Sequence, residues 1–197
     1  KRMSNQGFAS YHLEGQHDQC DHSTTGECSP KNAPDLKKSG LRADAQKWKR
    51  SLTSAAQRAL DDYQEDSGSI NAALRRGDAN AQAKLKSEIA NIDSAISKFS
   101  ISKDMTVYRG AHLKVEQIQQ IVQSGVFVDN GFISASQSRA VTRDFAPPIA
   151  KGAYEAILFK VDLPAGSKVA PMEIFGGPKS DEREFLLPRG SKFKIMS

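Results

Sequence analysis

Two carboxylates, Glu182 and Glu184, stand two positions apart at the head of the apolar run Phe185-Leu186-Leu187. In an extended strand, residues i and i+2 project to one face, so both carboxylates are expected to point the same way, the first from a loop and the second from a strand. Like charges held that close repel. The structural explanation is a solvated strand entrance with Arg183 as the local counter-charge. The chemical explanation is a functional pair, favoured by the other groups that accompany it in the sequence. Two further groups qualify for chemistry. Arg109, in Tyr108-Arg109-Gly110, carries a planar, permanently charged fork suited to phosphates, though a lone arginine at a strand end is commonly a surface residue. Ser134 and Ser136, in Phe132-Ile133-Ser134-Ala135-Ser136, present hydroxyls that also suit a helix cap.

The elements that must position these groups fall into two halves. Leu41 to Tyr63 carries apolar residues at three-and-four spacing, which predicts an amphipathic helix. Asp66-Ser67-Gly68-Ser69 breaks it, Ile70 to Leu74 predicts a short second helix ended by Gly77, and Asn80 to Lys98 a third. Their stripes, Trp48 and Tyr63 included, read as core. After Lys103 the pattern turns to strands: Met105 to Arg109, Gly131 to Ser136 and Tyr154 to Val161, with helices over Lys114–Ser124 and Arg139–Phe145, the latter capped by Ser136 or Ser138. Phe185–Leu187 and Phe193–Ile195, separated by Pro188-Arg189-Gly190, predict two strands joined by a tight turn. The expected class is α+β, with residues 1–40 an irregular tail or linker and 41–197 one domain, helical over 41–103 and β-rich over 104–197.

Composition narrows the function classes. Hydrophobic content of 38% with 26% charged residues is ordinary for a globular chain, and the net charge of +5 is spread along the sequence. Without an arginine-rich arm or an aromatic-interleaved basic motif, nucleic acid is not expected as a partner. Without a long apolar stretch, neither is a membrane span. No signal peptide is visible, but a chain opening Lys1-Arg2-Met3 says little about export. Cys20 and Cys28, beside His12, His17 and His22, match no common metal-ligand spacing; a disulfide and two plain thiols stay open, and no metal site is assigned.

Taken together and in order, Tyr108-Arg109-Gly110, Phe132-Ile133-Ser134-Ala135-Ser136 and Glu182-Arg183-Glu184 resemble the arginine–serine–glutamate signature of the mono-ADP-ribosyltransferases. Within that family the chain resembles the actin-modifying binary toxins and the injected effector transferases of bacteria. The resemblance covers about residues 89–196, from the helix before the first strand to a closing hairpin over Glu184–Ile195. It implies helices packed on a mixed or antiparallel β-sandwich with an NAD cleft. It also implies NAD as substrate, a protein arginine as acceptor, and secretion or injection into a host cell; without coiled-coil heptads, a monomer is expected. Glu184 is the implied catalytic carboxylate beside the ribose, Ser134 the residue that holds it, and Glu182 the acceptor-side group, because glutamate at that position accompanies arginine acceptors in the family. Arg109, Gly110, Phe132, Ser134, Ser136 and Arg143 are the implied NAD contacts, and Phe175, in the loop Phe175 to Asp181 before Glu182, a candidate acceptor contact.

Two positions depart from the family pattern. Ala135 replaces a usual threonine, and Phe145-Ala146 is followed by Pro147-Pro148 where several relatives carry an arginine. A catalytically weak relative acting by protein binding, with Lys1 and Arg2 laid in the cleft, is therefore a second expectation. An NAD glycohydrolase using water as acceptor is a third.

Overall fold

The structure, a computed structural model, describes residues 9–14, 40–145, 153–176 and 182–196, with 9–14, 143–145 and 196 described by backbone alone. Cys20, Cys28, His17, His22, Lys1, Arg2 and Pro147-Pro148 lie outside the described residues.

Five helices form the front half: α1 (Leu41–Ser51), α2 (Ser54–Glu65), α3 (Gly68–Arg76), α4 (Ala79–Lys84) and α5 (Lys86–Ser97). The single helix expected over Leu41–Tyr63 is two. Thr53 takes an extended conformation and its hydroxyl accepts from the Ala56 amide at 3.2 Å, which caps α2 and lets the chain turn. Leu85 likewise divides the helix expected over Asn80–Lys98, and Asp78 caps α4 by accepting from the Ala81 amide at 3.0 Å. The stripes pack as predicted, with Ala45, Leu60, Ile92 and Ala95 fully buried. The Trp48 indole donates to the Ala95 carbonyl at 2.9 Å and ties α1 to α5.

Among the described residues there are eight strands: β1 (Ala9–Glu14), β2 (Met105–Lys114), β3 (Val126–Asp129), β4 (Ile133–Ser136), β5 (Tyr154–Leu163), β6 (Ala170–Pro171), β7 (Glu184–Leu187) and β8 (Ser191–Met196). They are hydrogen-bonded in the order β3-β8-β1-β5-β2-β4-β7-β6. Every ladder is antiparallel except β1 with β8. Two helices, α6 (Val115–Ser124) and α7 (Arg139–Phe145), follow β2 and β4. Strand β2 pairs along its whole length with β5 but meets β4 through one pair, Tyr108↔Ser136, so the sheet has two limbs hinged at the Arg109 strand. One contiguous core, from Leu41 to Phe193, joins helices and strands in the expected α+β class.

Two expectations are corrected. Residues 1–40 are not wholly irregular, because Ala9–Glu14 forms β1, paired with β5 on one side and β8 on the other. The alternation Ala9-Tyr11-Leu13 against Ser10-His12-Glu14 has the strand period, but a polar neighbourhood hides it. The closing strands are not a hairpin either. β7 pairs with β4 and β6, whereas β8 pairs with β1 and β3. All four residues of β7 are buried, so it needs a neighbour on each edge. The turn after Leu187 therefore carries the chain from one limb of the sheet to the other.

Candidate active site

A cleft of about 240 Å³ lies where β2, β4 and β7 face α2, α3 and α7. Arg109, Gly110, Ser134, Ala135, Ser136, Glu182 and Glu184 line its strand wall; Tyr63, Gln64, Ser67, Asn71, Arg75 and Thr142 line its helical wall.

The strand wall is set by register. Ser136 is directly opposite Glu184 and Ser134 opposite Leu186, so Ser134 is the diagonal neighbour of Glu184 on the same face. Glu184 opens β7 and is buried, while Glu182 precedes the strand. Between them Arg183 has φ 51, in the left-handed region that costs a side-chain-bearing residue about 1–2 kcal/mol. The i, i+2 rule therefore does not apply across this step. The two carboxylates reach one cleft through a kink, not along a straight strand. The kink is held from β4: the Ser136 hydroxyl donates to the Glu182 carbonyl, and the Gln137 amide donates to the Arg183 carbonyl at 3.4 Å. Arg109, on β2, donates through Nη1 to the Ser134 carbonyl at 2.9 Å, and its Nη2 lies 3.6 Å from Asp129.

The helical wall is set by side-chain hydrogen bonds. Asn71 Nδ2 donates to the Tyr63 hydroxyl at 2.8 Å, and Asn71 Oδ1 accepts from the Phe132 amide at 2.9 Å. Burial pushes the Tyr63 phenol above its ordinary value; hydrogen bonds with Asn71 and Ser134 oppose that shift, Glu184 adds to it, and Arg109 opposes it. Tyr63 thus stays protonated at neutral pH, hydrogen-bonded with Ser134 and within electrostatic reach of Glu184. Arg75 donates to Asp129 at 2.8 and 3.1 Å and to the Phe132 carbonyl at 3.3 Å.

Of the residues singled out from sequence, Arg109, Gly110, Ser134, Ser136, Glu182 and Glu184 come together in the cleft. Ser136 is buried and its hydroxyl serves the chain itself, donating to Glu182 and accepting from the Ser138 amide at 2.9 Å. Phe132 is not a cleft residue: it is fully buried, edge-on to Tyr63 with ring centroids 5.8 Å apart. It precedes β4, so strand alternation does not carry its ring to the Ser134 face; its backbone serves instead, as the anchor for Asn71 and Arg75. Phe175 is likewise turned inward, 5.9 Å from the Trp48 ring and 4.4 Å beneath the Lys49 ammonium. That contact anchors the start of the loop before Glu182. The Arg143 side chain lies outside the described residues. Sequence pattern alone does not mark Tyr63, Ser67, Asn71 and Arg75 as site residues, although Ser67, Asn71 and Arg75 recur every four positions and so form a polar stripe on the helix. Among the described residues no cluster of His, Cys, Asp and Glu could hold a metal, and no helix is long and apolar enough to cross a membrane.

Residues 41–197 match the model of the ADP-ribosyltransferase exoenzyme family. The chain belongs to that family. It is 31% identical over 160 residues to the NAD(+)–arginine ADP-ribosyltransferase EFV of Enterococcus faecalis, an alignment covering 80% of this chain but 32% of that protein. The chain thus spans about a third of that relative's length. The fold is similar to Plx2a, an ADP-ribosyltransferase toxin from Paenibacillus larvae (TM-score 0.62, 22% identity, 80% of this chain and 87% of that one). It is also similar to an ADP-ribosyltransferase from Clostridium botulinum (TM-score 0.61, 21% identity, 83% of this chain and 88% of that one). Arg109, Ser134 and Glu184 line one cleft of this fold, each supplied by a different strand.

Proposed function

We propose that the chain transfers ADP-ribose from NAD to an arginine of a target protein, releasing nicotinamide. The observation that carries this reading is the convergence of Glu182 and Glu184 on one cleft with Arg109 and Ser134. Arg109 binds the dinucleotide's phosphates through its fork. Ser134 and Tyr63 hold Glu184 beside the ribose, where its charge stabilises the oxocarbenium-like transition state as the ribose–nicotinamide bond breaks and nicotinamide leaves with the bonding pair. The acceptor guanidinium then forms a new bond to the same ribose carbon. A guanidinium is a poor nucleophile while protonated, and Glu182 orients it and takes the proton it loses. Gly110 and Ser136 complete the NAD-facing strand wall. On this reading the chain acts as a secreted or injected monomer on a protein of a host cell, without a nucleic-acid or membrane partner; a protein of similar fold is named a toxin.

Glu182→Gln tests the assignment of roles. Transfer to protein arginine is expected to fall by about 10²-fold or more, while nicotinamide release into water persists. Transfer at the wild-type rate would overturn the acceptor role of Glu182. A variant that loses both activities equally would make Glu182 part of the cleavage step instead.

A further inference from the structure

One buried charge takes no part in the chemistry above. Asp129, at the end of β3, is only 7% exposed. Its carboxylate accepts from Arg75 Nε at 2.8 Å and Nη2 at 3.1 Å, and Arg109 Nη2 stands 3.6 Å from Oδ2. It also accepts the Gly131 amide at 2.9 Å. Arg75 belongs to the helical wall and Arg109 to the strand wall, so one carboxylate joins a cation from each side of the cleft.

We infer that Asp129 is a positioning residue for the anion-binding part of the cleft: it holds the Arg109 and Arg75 guanidiniums side by side before the dinucleotide's phosphates arrive. Two guanidiniums brought this close repel, and a shared carboxylate offsets the repulsion. The three groups together still carry net positive charge, so the assembly keeps its attraction for a phosphate. Fixing the two forks in advance removes an ordering cost that would otherwise be taken from binding.

The alternative is that Asp129 merely ties down the β3–β4 turn, but that turn has an independent clamp. Asn71 Oδ1 accepts from the Phe132 amide at 2.9 Å. A Cβ on Gly131 would lie 2.7 Å from Asn71 Oδ1 and 3.0 Å from Arg75 Nε. Helix α3 therefore meets the turn as closely as a glycine allows, and the Asn71 bond to the Phe132 amide does not involve the carboxylate.

The inference rests on NAD as the substrate, and its test separates the two. NAD affinity by calorimetry and kcat at saturating NAD are measured for the full chain, for Asp129→Asn and for Arg75→Gln. Both variants are expected to bind NAD about tenfold more weakly while kcat stays within about threefold of wild type. Wild-type NAD binding with either variant within twofold of it, or with kcat falling as far as affinity, would overturn the positioning role alone. Should Asp129→Asn be unfolded at 25 °C, Asp129 is a residue of the fold and the inference fails for it. Absence of NAD binding by wild type would overturn the function itself, and this inference with it.

Discussion

The two walls of the cleft hold their residues by different means. On the strand wall, backbone ladders fix Ser134, Ser136 and Glu184 by their register. On the helical wall, Asn71 fixes Tyr63, the Phe132 backbone fixes Asn71 and Arg75, and Asp129 holds Arg75 as well, so side chains do the work that ladders do opposite. A substitution on the strand wall should therefore remove chemistry and leave the frame, whereas one on the helical wall should disturb the frame first.

Glu184→Gln gives the largest effect. Nicotinamide release and transfer are expected to fall by about 10²–10³-fold, the scale of a lost transition-state charge contact, with little change in the thermal unfolding midpoint. A large drop in midpoint would show that the strand wall also depends on its side chains. Asn71→Ala should behave in the opposite way. It leaves the buried Phe132 amide and the Tyr63 hydroxyl without this partner, a cost of about 1–3 kcal/mol in denaturant unfolding. Activity should fall less than in Glu184→Gln, through weaker NAD binding. Unchanged stability would break the distinction between the walls.

The smallest effect concerns Tyr63, whose phenol titrates above its ordinary value of 10.0 because of burial. Below that value both folded and unfolded chains keep the proton, and pH has no effect through this group. As pH rises above it, the unfolded chain gives up the proton first, so stability declines. In Tyr63→Phe this contribution to the alkaline decline should be absent, which unfolding curves between about pH 9 and 11 would reveal.

The contrast between the walls also explains what can be read from the residues. Arg109, Ser134 and Glu184 stand out because three short contiguous motifs, each weak alone, resemble a family signature when taken in order. The kink at Arg183 is not, since its left-handed backbone follows from contacts with Ser136 and Gln137 more than 40 positions away. Tyr63 fits the apolar stripe of its helix, and its ring is indeed core; its hydroxyl acquires a role only from Asn71 and Ser134. Asn71 and Arg75 lie in a polar stripe that any solvated helix face could produce. Strand β1 is hidden by polar neighbours, and the separation of β7 from β8 depends on which strands flank them in space. Local pattern identifies the elements, and long-range pairing decides their partners.

Nicotinamide release from NAD, with and without an arginine-like acceptor, for the wild-type chain and for Glu184→Gln, tests the account most directly. The cleft described above predicts release by wild type, stimulation by the acceptor, and loss of both in the variant. No release by wild type, together with no NAD binding by calorimetry, would contradict it and leave a transferase fold that works by other means.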